Sequence, residues 1–176
     1  MTEYPHNVTI SGKPPWPWAS RQVQVEGESY LKIARPFGWY WNRKVARTSY
    51  SHRTVFTLKK RAFLSSSYEL IEPGRPRFTI RCTQAGHWIC ESVNDTLEIY
   101  RLGGSKSIVS RQGCQIAIMS SKSGLKFFND QQIGLRVNEE QYLNLCIAAA
   151  LLLDDFNLHL DTSLFSQPEV ATLQPG

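Results

Sequence analysis

Two groups of cations carry most of the chemistry this chain can offer. Lys59-Lys60-Arg61 follows the alternating run Arg53–Leu58, and Arg43-Lys44-Val45-Ala46-Arg47 follows the aromatic word Trp39-Tyr40-Trp41. A cationic triplet at a strand end projects at least two charges beyond the sheet, within reach of phosphate. Cations beside Trp and Tyr suit a membrane interface, where amphipathic rings sit at headgroup depth. Each cation near an anionic surface is worth about 1 kcal/mol, so three or four together imply weak, salt-sensitive binding. The expected ligand is an anionic phospholipid or phosphoinositide headgroup, with Lys59, Lys60, Arg61, Arg43, Lys44 and Arg47 as its contacts. The same mixture suits stacking on single-stranded nucleic acid, a less favoured partner. The plainer reading is a solvated basic surface with Trp39 and Trp41 plugging the core. Arg75-Pro76-Arg77, after Glu72-Pro73-Gly74, either extends the basic face or is simply a polar turn.

The inventory for catalysis is thin. Histidines stand at 6, 52, 87 and 159 and cysteines at 82, 90, 114 and 146. In Gly86-His87-Trp88-Ile89-Cys90 the cysteine lies three residues after the histidine, on the opposite face of a strand, which disfavours a local Cys–His pair. There is no GxSxG, HExxH or P-loop word, and Gly103-Gly104-Ser105-Lys106 lacks the Walker spacing and reads as a hairpin turn. The spacing of Cys82, His87, Cys90 and Cys114 matches no common zinc module. Asn138, Glu139 and Glu140 offer oxygens but not the spacing of a calcium loop, and helix capping explains them more simply. The expectation is a non-enzymatic protein with no cofactor and no metal.

Positioning those cations is the task of short strands. Alternation marks Arg21–Glu26, Ser29–Ala34, Arg53–Leu58, Tyr68–Ile71, Arg77–Cys82, His87–Cys90, Thr96–Tyr100, Lys106–Arg111, Cys114–Met119, Leu125–Phe128 and Gln132–Val137. Turn chemistry punctuates them at Pro73-Gly74, Asn94-Asp95, Gly103-Gly104, Gln112-Gly113 and Ser123-Gly124. Such spacing indicates a barrel or a sandwich. Before them, residues 1–20 read as an irregular lead, because Pro14-Pro15-Trp16-Pro17-Trp18 cannot be helical. That lead could dock a protein partner or pack its two Trp back on the domain. Residues 161–176 read as a flexible tail.

One segment breaks the pattern. Asn138 to Asp155 contains strong helix formers, and Leu143 to Leu153 is apolar except for Asn144. A helix apolar all round must be buried on every side. The simplest enclosure is a closed antiparallel barrel of about 12 strands wrapped around a C-terminal helix at about 139–155, giving an all-β domain over 21–160. A buried interface helix in an oligomer is the alternative. Asp154-Asp155 at the helix end is electrostatically awkward, and ion pairing to the barrel rim would relieve it.

This arrangement resembles the tubby C-terminal-like superfamily, in its phospholipid scramblase and LURP-one-related branch. The words that carry the likeness are Phe78-Thr79-Ile80-Arg81-Cys82, Gly86 to Cys90, Asp95-Thr96-Leu97-Glu98-Ile99-Tyr100, Gln115-Ile116-Ala117 and the apolar run Leu143 to Phe156 closed by aspartates. The resemblance spans roughly residues 25–160 and implies a barrel around a central helix. It also implies lipid recognition, since tubby domains bind phosphoinositides through basic surface residues. Scramblases carry a long Pro-rich arm, a cysteine cluster and an acidic calcium segment. This chain has a lead of about 20 residues and no such cluster, so scramblase-like lipid transfer stands only as an alternative, alongside a protein-interaction scaffold.

Composition fits that class. The 176 residues are 41% hydrophobic and 20% charged, a globular balance. Residues 21–81 hold 13 Lys and Arg against 4 Asp and Glu, a net +9, whereas residues 82–176 hold 6 against 10, a net −4. No Lys or Arg follows Arg136. The start Met-Thr-Glu-Tyr-Pro-His-Asn has neither a basic nor an apolar run, and the longest apolar run, Leu145–Leu153, falls short of the ~20 residues a spanning helix needs. The expected location is cytoplasmic, peripheral to the membrane or nuclear, with reduced thiols and no transmembrane span.

Overall fold

In a computed structural model the described residues form twelve antiparallel strands and one α-helix. They are β1 (His6–Gly12), β2 (Arg21–Val25), β3 (Glu28–Ala34), β4 (Arg43–Thr48), β5 (Thr54–Lys60), β6 (Ser67–Glu72), β7 (Arg75–Gln84), β8 (His87–Glu91), β9 (Thr96–Gly103), β10 (Lys106–Arg111), β11 (Cys114–Lys122), β12 (Gln131–Val137) and α1 (Leu143–Ser163). The structure describes residues 5–12, 20–34, 43–62, 66–84, 86–103, 106–122 and 131–163, with side chains to 153. Each strand pairs with its sequence neighbours, and β1 pairs with β12 to close the barrel. An even strand number is what allows an up-and-down meander to close with an antiparallel seam, leaving no free edge.

Alternation decides which way each side chain faces. Val8 and Ile10 of β1, Leu31 and Ile33 of β3, Phe56 and Leu58 of β5, and Ile133 and Leu135 of β12 all point inward and are buried. Tight turns set the register. Glu26-Gly27 and Gln112-Gly113 each place two consecutive residues at positive φ (51° and 82°, 49° and 80°). That is the type I′ geometry whose twist matches paired strands.

The interior is filled by α1. Every residue from Leu145 to Leu152 is at most 4% exposed. Three consecutive alanines, Ala148, Ala149 and Ala150, keep the helix slim where strands surround it. The helix starts at the end of the barrel where the turns Glu26-Gly27, Pro73-Gly74 and Gln112-Gly113 lie, here the upper rim. It runs toward the lower rim, where β1, β3, β5, β7, β9 and β11 end.

Three expectations change. Residues 1–20 are not an irregular lead throughout, because β1 occupies His6–Gly12 and supplies the strand that closes the barrel. The alternation Val8–Ile10 is the cue, and two inward side chains in a seven-residue strand bury well on their own. β4 is a strand that the sequence alone did not mark, since Lys44-Val45-Ala46 is a continuous buried run rather than an alternation. The helix begins at Leu143 and reaches Ser163, later at both ends than 139–155. Glu139 stays extended (φ −123°, ψ 121°) with no capping side-chain bond, and Glu140–Tyr142 forms a 3₁₀ turn. Contacts to the barrel rim, described below, hold that turn in place of a capped first helical turn. Leu125–Phe128, Pro14–Trp18, Trp39–Trp41 and residues 164–176 lie outside the described residues.

Candidate functional site

The lower rim gathers cations from separate strands. Pairing of β4 with β5 sets Arg43 directly opposite Lys59, both exposed on the outer face. Lys60 follows at the strand end, half-buried and opposite Tyr68 of β6. Arg61 comes next, its amide bonded to the Ser67 carbonyl at 2.9 Å. Its side chain pairs with Glu69 at 3.0 Å and remains 55% exposed. Four of the six expected contacts, Arg43, Lys59, Lys60 and Arg61, therefore share one stretch of rim.

The other two do not join them. Arg47 is exposed but sits four residues along β4, near the upper rim and about 13 Å away at strand spacing. Lys44 points into the barrel and is buried, its Nζ donating to the Leu151 carbonyl of α1 at 3.3 Å. Alternation dictates this, because Lys44 shares its face with Ala46 and lies opposite Leu58. Sequence reasoning missed two exposed cations on the same rim, Arg101 and Lys106, at the end of β9 and the start of β10. The only cue was their position flanking the Gly103-Gly104 turn.

The upper rim clamps the helix start with ion pairs. Arg77 makes a two-pronged ion pair with Glu72 (2.8 and 2.7 Å) and also donates to the Gln141 carbonyl at 3.0 Å. Asn144 donates to the same Glu72 carboxylate at 3.1 Å. Asp95 accepts from Arg111 Nε at 2.9 Å and from the Tyr142 hydroxyl through a short hydrogen bond. The Arg111 guanidinium lies 5.8 Å from the Tyr142 ring centre. Burial pushes the Asp95 carboxyl up, but the hydrogen bonds from Tyr142 and Arg111 and the Arg111 charge outweigh it and hold it below the usual range. Burial, and then the bond to Asp95, push the Tyr142 hydroxyl up to about 12. These groups anchor the plug.

His87 and the two buried thiols are engaged structurally. His87 lies on the outer wall of β8 with Nδ1 2.8 Å from the Thr83 hydroxyl, Nε2 3.2 Å from Glu98, and its ring stacked on Tyr100 at 4.6 Å. Thr83 Oγ1 also bonds the carbonyl of His87 at 3.2 Å, tying the hydroxyl to backbone. Cys90 faces the interior, opposite to His87, as strand alternation requires. All four cysteines are free, and Cys90 and Cys146 are fully buried. Burial raises both thiols, Cys146 to about 12, so neither ionises readily. Among the described residues no group of three or more His, Cys, Asp or Glu side chains is placed to hold a metal.

What fold and rim define is a closed twelve-stranded antiparallel barrel plugged by its own C-terminal helix, with a cluster of cations on its lower rim. No family model matches the chain, and no curated protein matches it. A solved X-ray structure of a protein from Arabidopsis thaliana, of the LURP-one-related, tubby-like fold, is similar with a TM-score of 0.59. The likeness covers 89% of this chain and 94% of that one at 14% identity. At that identity the shared property is the fold. Among the described residues no helix is long and apolar enough to cross a membrane.

Proposed function

We propose that the protein is a non-enzymatic binding module that docks peripherally on anionic phospholipid or phosphoinositide through its basic lower rim. The observation that carries this reading is the register that sets Arg43 against Lys59, with Lys60 and Arg61 adjoining. Neighbouring cations on paired strands repel one another and are retained most readily where an anion neutralises them. Four cations at about 1 kcal/mol each give about 4 kcal/mol, a millimolar dissociation constant unless a polyvalent headgroup engages several at once. The Arg61–Glu69 pair reduces that sum.

Co-sedimentation with liposomes tests it. Purified protein is expected to pellet with phosphatidylserine or phosphoinositide vesicles at low salt, less so at physiological salt, and not with neutral vesicles. Lys59→Ala/Lys60→Ala/Arg61→Ala should abolish the pelleting, and Arg47→Ala, near the other rim, should leave it intact. Absence of pelleting at low salt would overturn the reading.

A further inference from the structure

Among the described residues four large apolar side chains are exposed: Val93 at 99%, Tyr50 at 86%, Leu102 at 60% and Tyr100 at 38%. Val93 and Tyr50 stand singly on the β8–β9 and β4–β5 turns of the upper rim, and single apolar residues on a surface need no explanation. Tyr100 and Leu102 differ, because they lie two residues apart on β9, toward its lower end. The pairing of β9 with β10 steps from Arg101–Ser107 to Gly103–Lys106, so the register shifts at Leu102 and sets it opposite no residue of β10. Such irregularities at a barrel rim re-aim a side chain. Tyr100 pairs with Ile108, and Ile108 with Ile118, both half-buried, so an apolar strip continues across β10 and β11. Stacking on His87 at 4.6 Å holds the Tyr100 ring. Exposed Arg101 and Lys106 flank Leu102 on the same rim as Arg43, Lys59, Lys60 and Arg61. From β5 to β9 is four strand spacings, about 19 Å along the sheet.

We infer that Leu102 enters the acyl boundary of an anionic bilayer when the lower rim docks, with Tyr100 at headgroup depth and Arg101 and Lys106 on the phosphates. The inference rests on the proposed reading of the lower rim and gives that rim a second point of attachment. Leu102 lies two residues nearer the rim than Tyr100, about 7 Å along the strand, so a bilayer meeting the rim reaches the leucine first. A tyrosine ring tipped by a hydroxyl suits the layer above. Cations on both sides of the leucine favour a membrane over an apolar protein surface, where their charge would have to be desolvated. The two attachments differ in kind, since salt screens the cations but does not weaken apolar burial.

The test is co-sedimentation with phosphatidylserine vesicles at low salt, with melting curves to check the fold. Leu102→Ser is expected to bind about tenfold more weakly than wild type. Val93→Ser, which removes a still more exposed apolar side chain from the upper rim, should bind as wild type does. Leu102→Trp adds its emission to that of the five native tryptophans, and vesicles with brominated acyl chains should quench the added part. If wild type pellets and Leu102→Ser pellets equally, or the added emission is not quenched, the inference fails and the lipid reading stands. An equal loss in Val93→Ser would also overturn it, because the leucine would then hold no special place. If Leu102→Ser does not fold, the quenching decides. If wild type does not pellet with these vesicles, both readings fail.

Discussion

The Lys44 ammonium donates to the backbone carbonyl of Leu151 at 3.3 Å, inside the barrel and away from solvent. A cation read from the sequence as a surface contact is in fact a link between wall and plug. Its aliphatic stem packs in the interior while its charge reaches a helix oxygen.

Lys44→Ala is therefore expected to separate stability from binding. Loss of a charged hydrogen bond should lower unfolding stability by about 1.5–3 kcal/mol. Anionic-vesicle pelleting by the folded fraction should not change. Urea unfolding and co-sedimentation on the same preparation check both halves.

Ala149 is 1% exposed at the middle of the plug. Ala149→Arg buries an unpaired charge at a cost of several kcal/mol, comparable with the stability of a whole domain. The expected product is insoluble or non-cooperative on melting. A soluble variant with a sharp transition would contradict the enclosed helix.

Closure of the barrel depends on β1. Ile10 is fully buried and pairs with Ile133 across the seam. Ile10→Ala should cost about 2–5 kcal/mol in urea unfolding. A change below 0.5 kcal/mol, the ordinary range for surface substitutions, would show that the seam is dispensable.

Asp95 and Tyr142 make stability depend on pH in opposite directions. The Asp95 carboxyl is held below its usual value, so its contribution is present above the unfolded pKa of about 3.9 and is lost as pH falls through the lower folded value. The Tyr142 hydroxyl is pushed up to about 12, so its contribution is complete below the unfolded value near 10 and is lost as pH rises toward 12. Tyr142→Phe should weaken the acid dependence and remove a tyrosine that titrates near 12 from an ultraviolet titration. An unchanged alkaline titration in that variant would contradict the assignment.

The architecture was legible because it depends on local pattern. Residues alternating along strands such as Arg77–Cys82 must put one set inside, and an all-apolar helix must be enclosed. The barrel and its central plug follow from those two requirements. Pattern also separated His87 from Cys90, since three residues of strand reverse the face. It failed where a residue's neighbours come from distant sequence. Lys44 and Lys59 look alike in the chain, yet one faces Leu151 and the other Arg43, and only the phase of β4 against β5 decides which. Asn138-Glu139-Glu140 reads as a capped helix start, but Arg77 and Asp95, 64 and 47 residues from the groups they bind, draw Gln141 and Tyr142 into a 3₁₀ turn and delay the helix to Leu143.

The sequence by itself determined the period-two strands, the turns between them and a helix too apolar to meet water, since these depend on side-chain type and near-neighbour spacing. Tertiary structure alone decided that β1 pairs with β12, which cations share a rim, and that Lys44 meets the Leu151 carbonyl of α1. Each of these is a meeting of groups far apart in the chain. Such meetings are selected by closing the barrel over a shared core, because burial rewards the whole enclosure and no single segment encodes it.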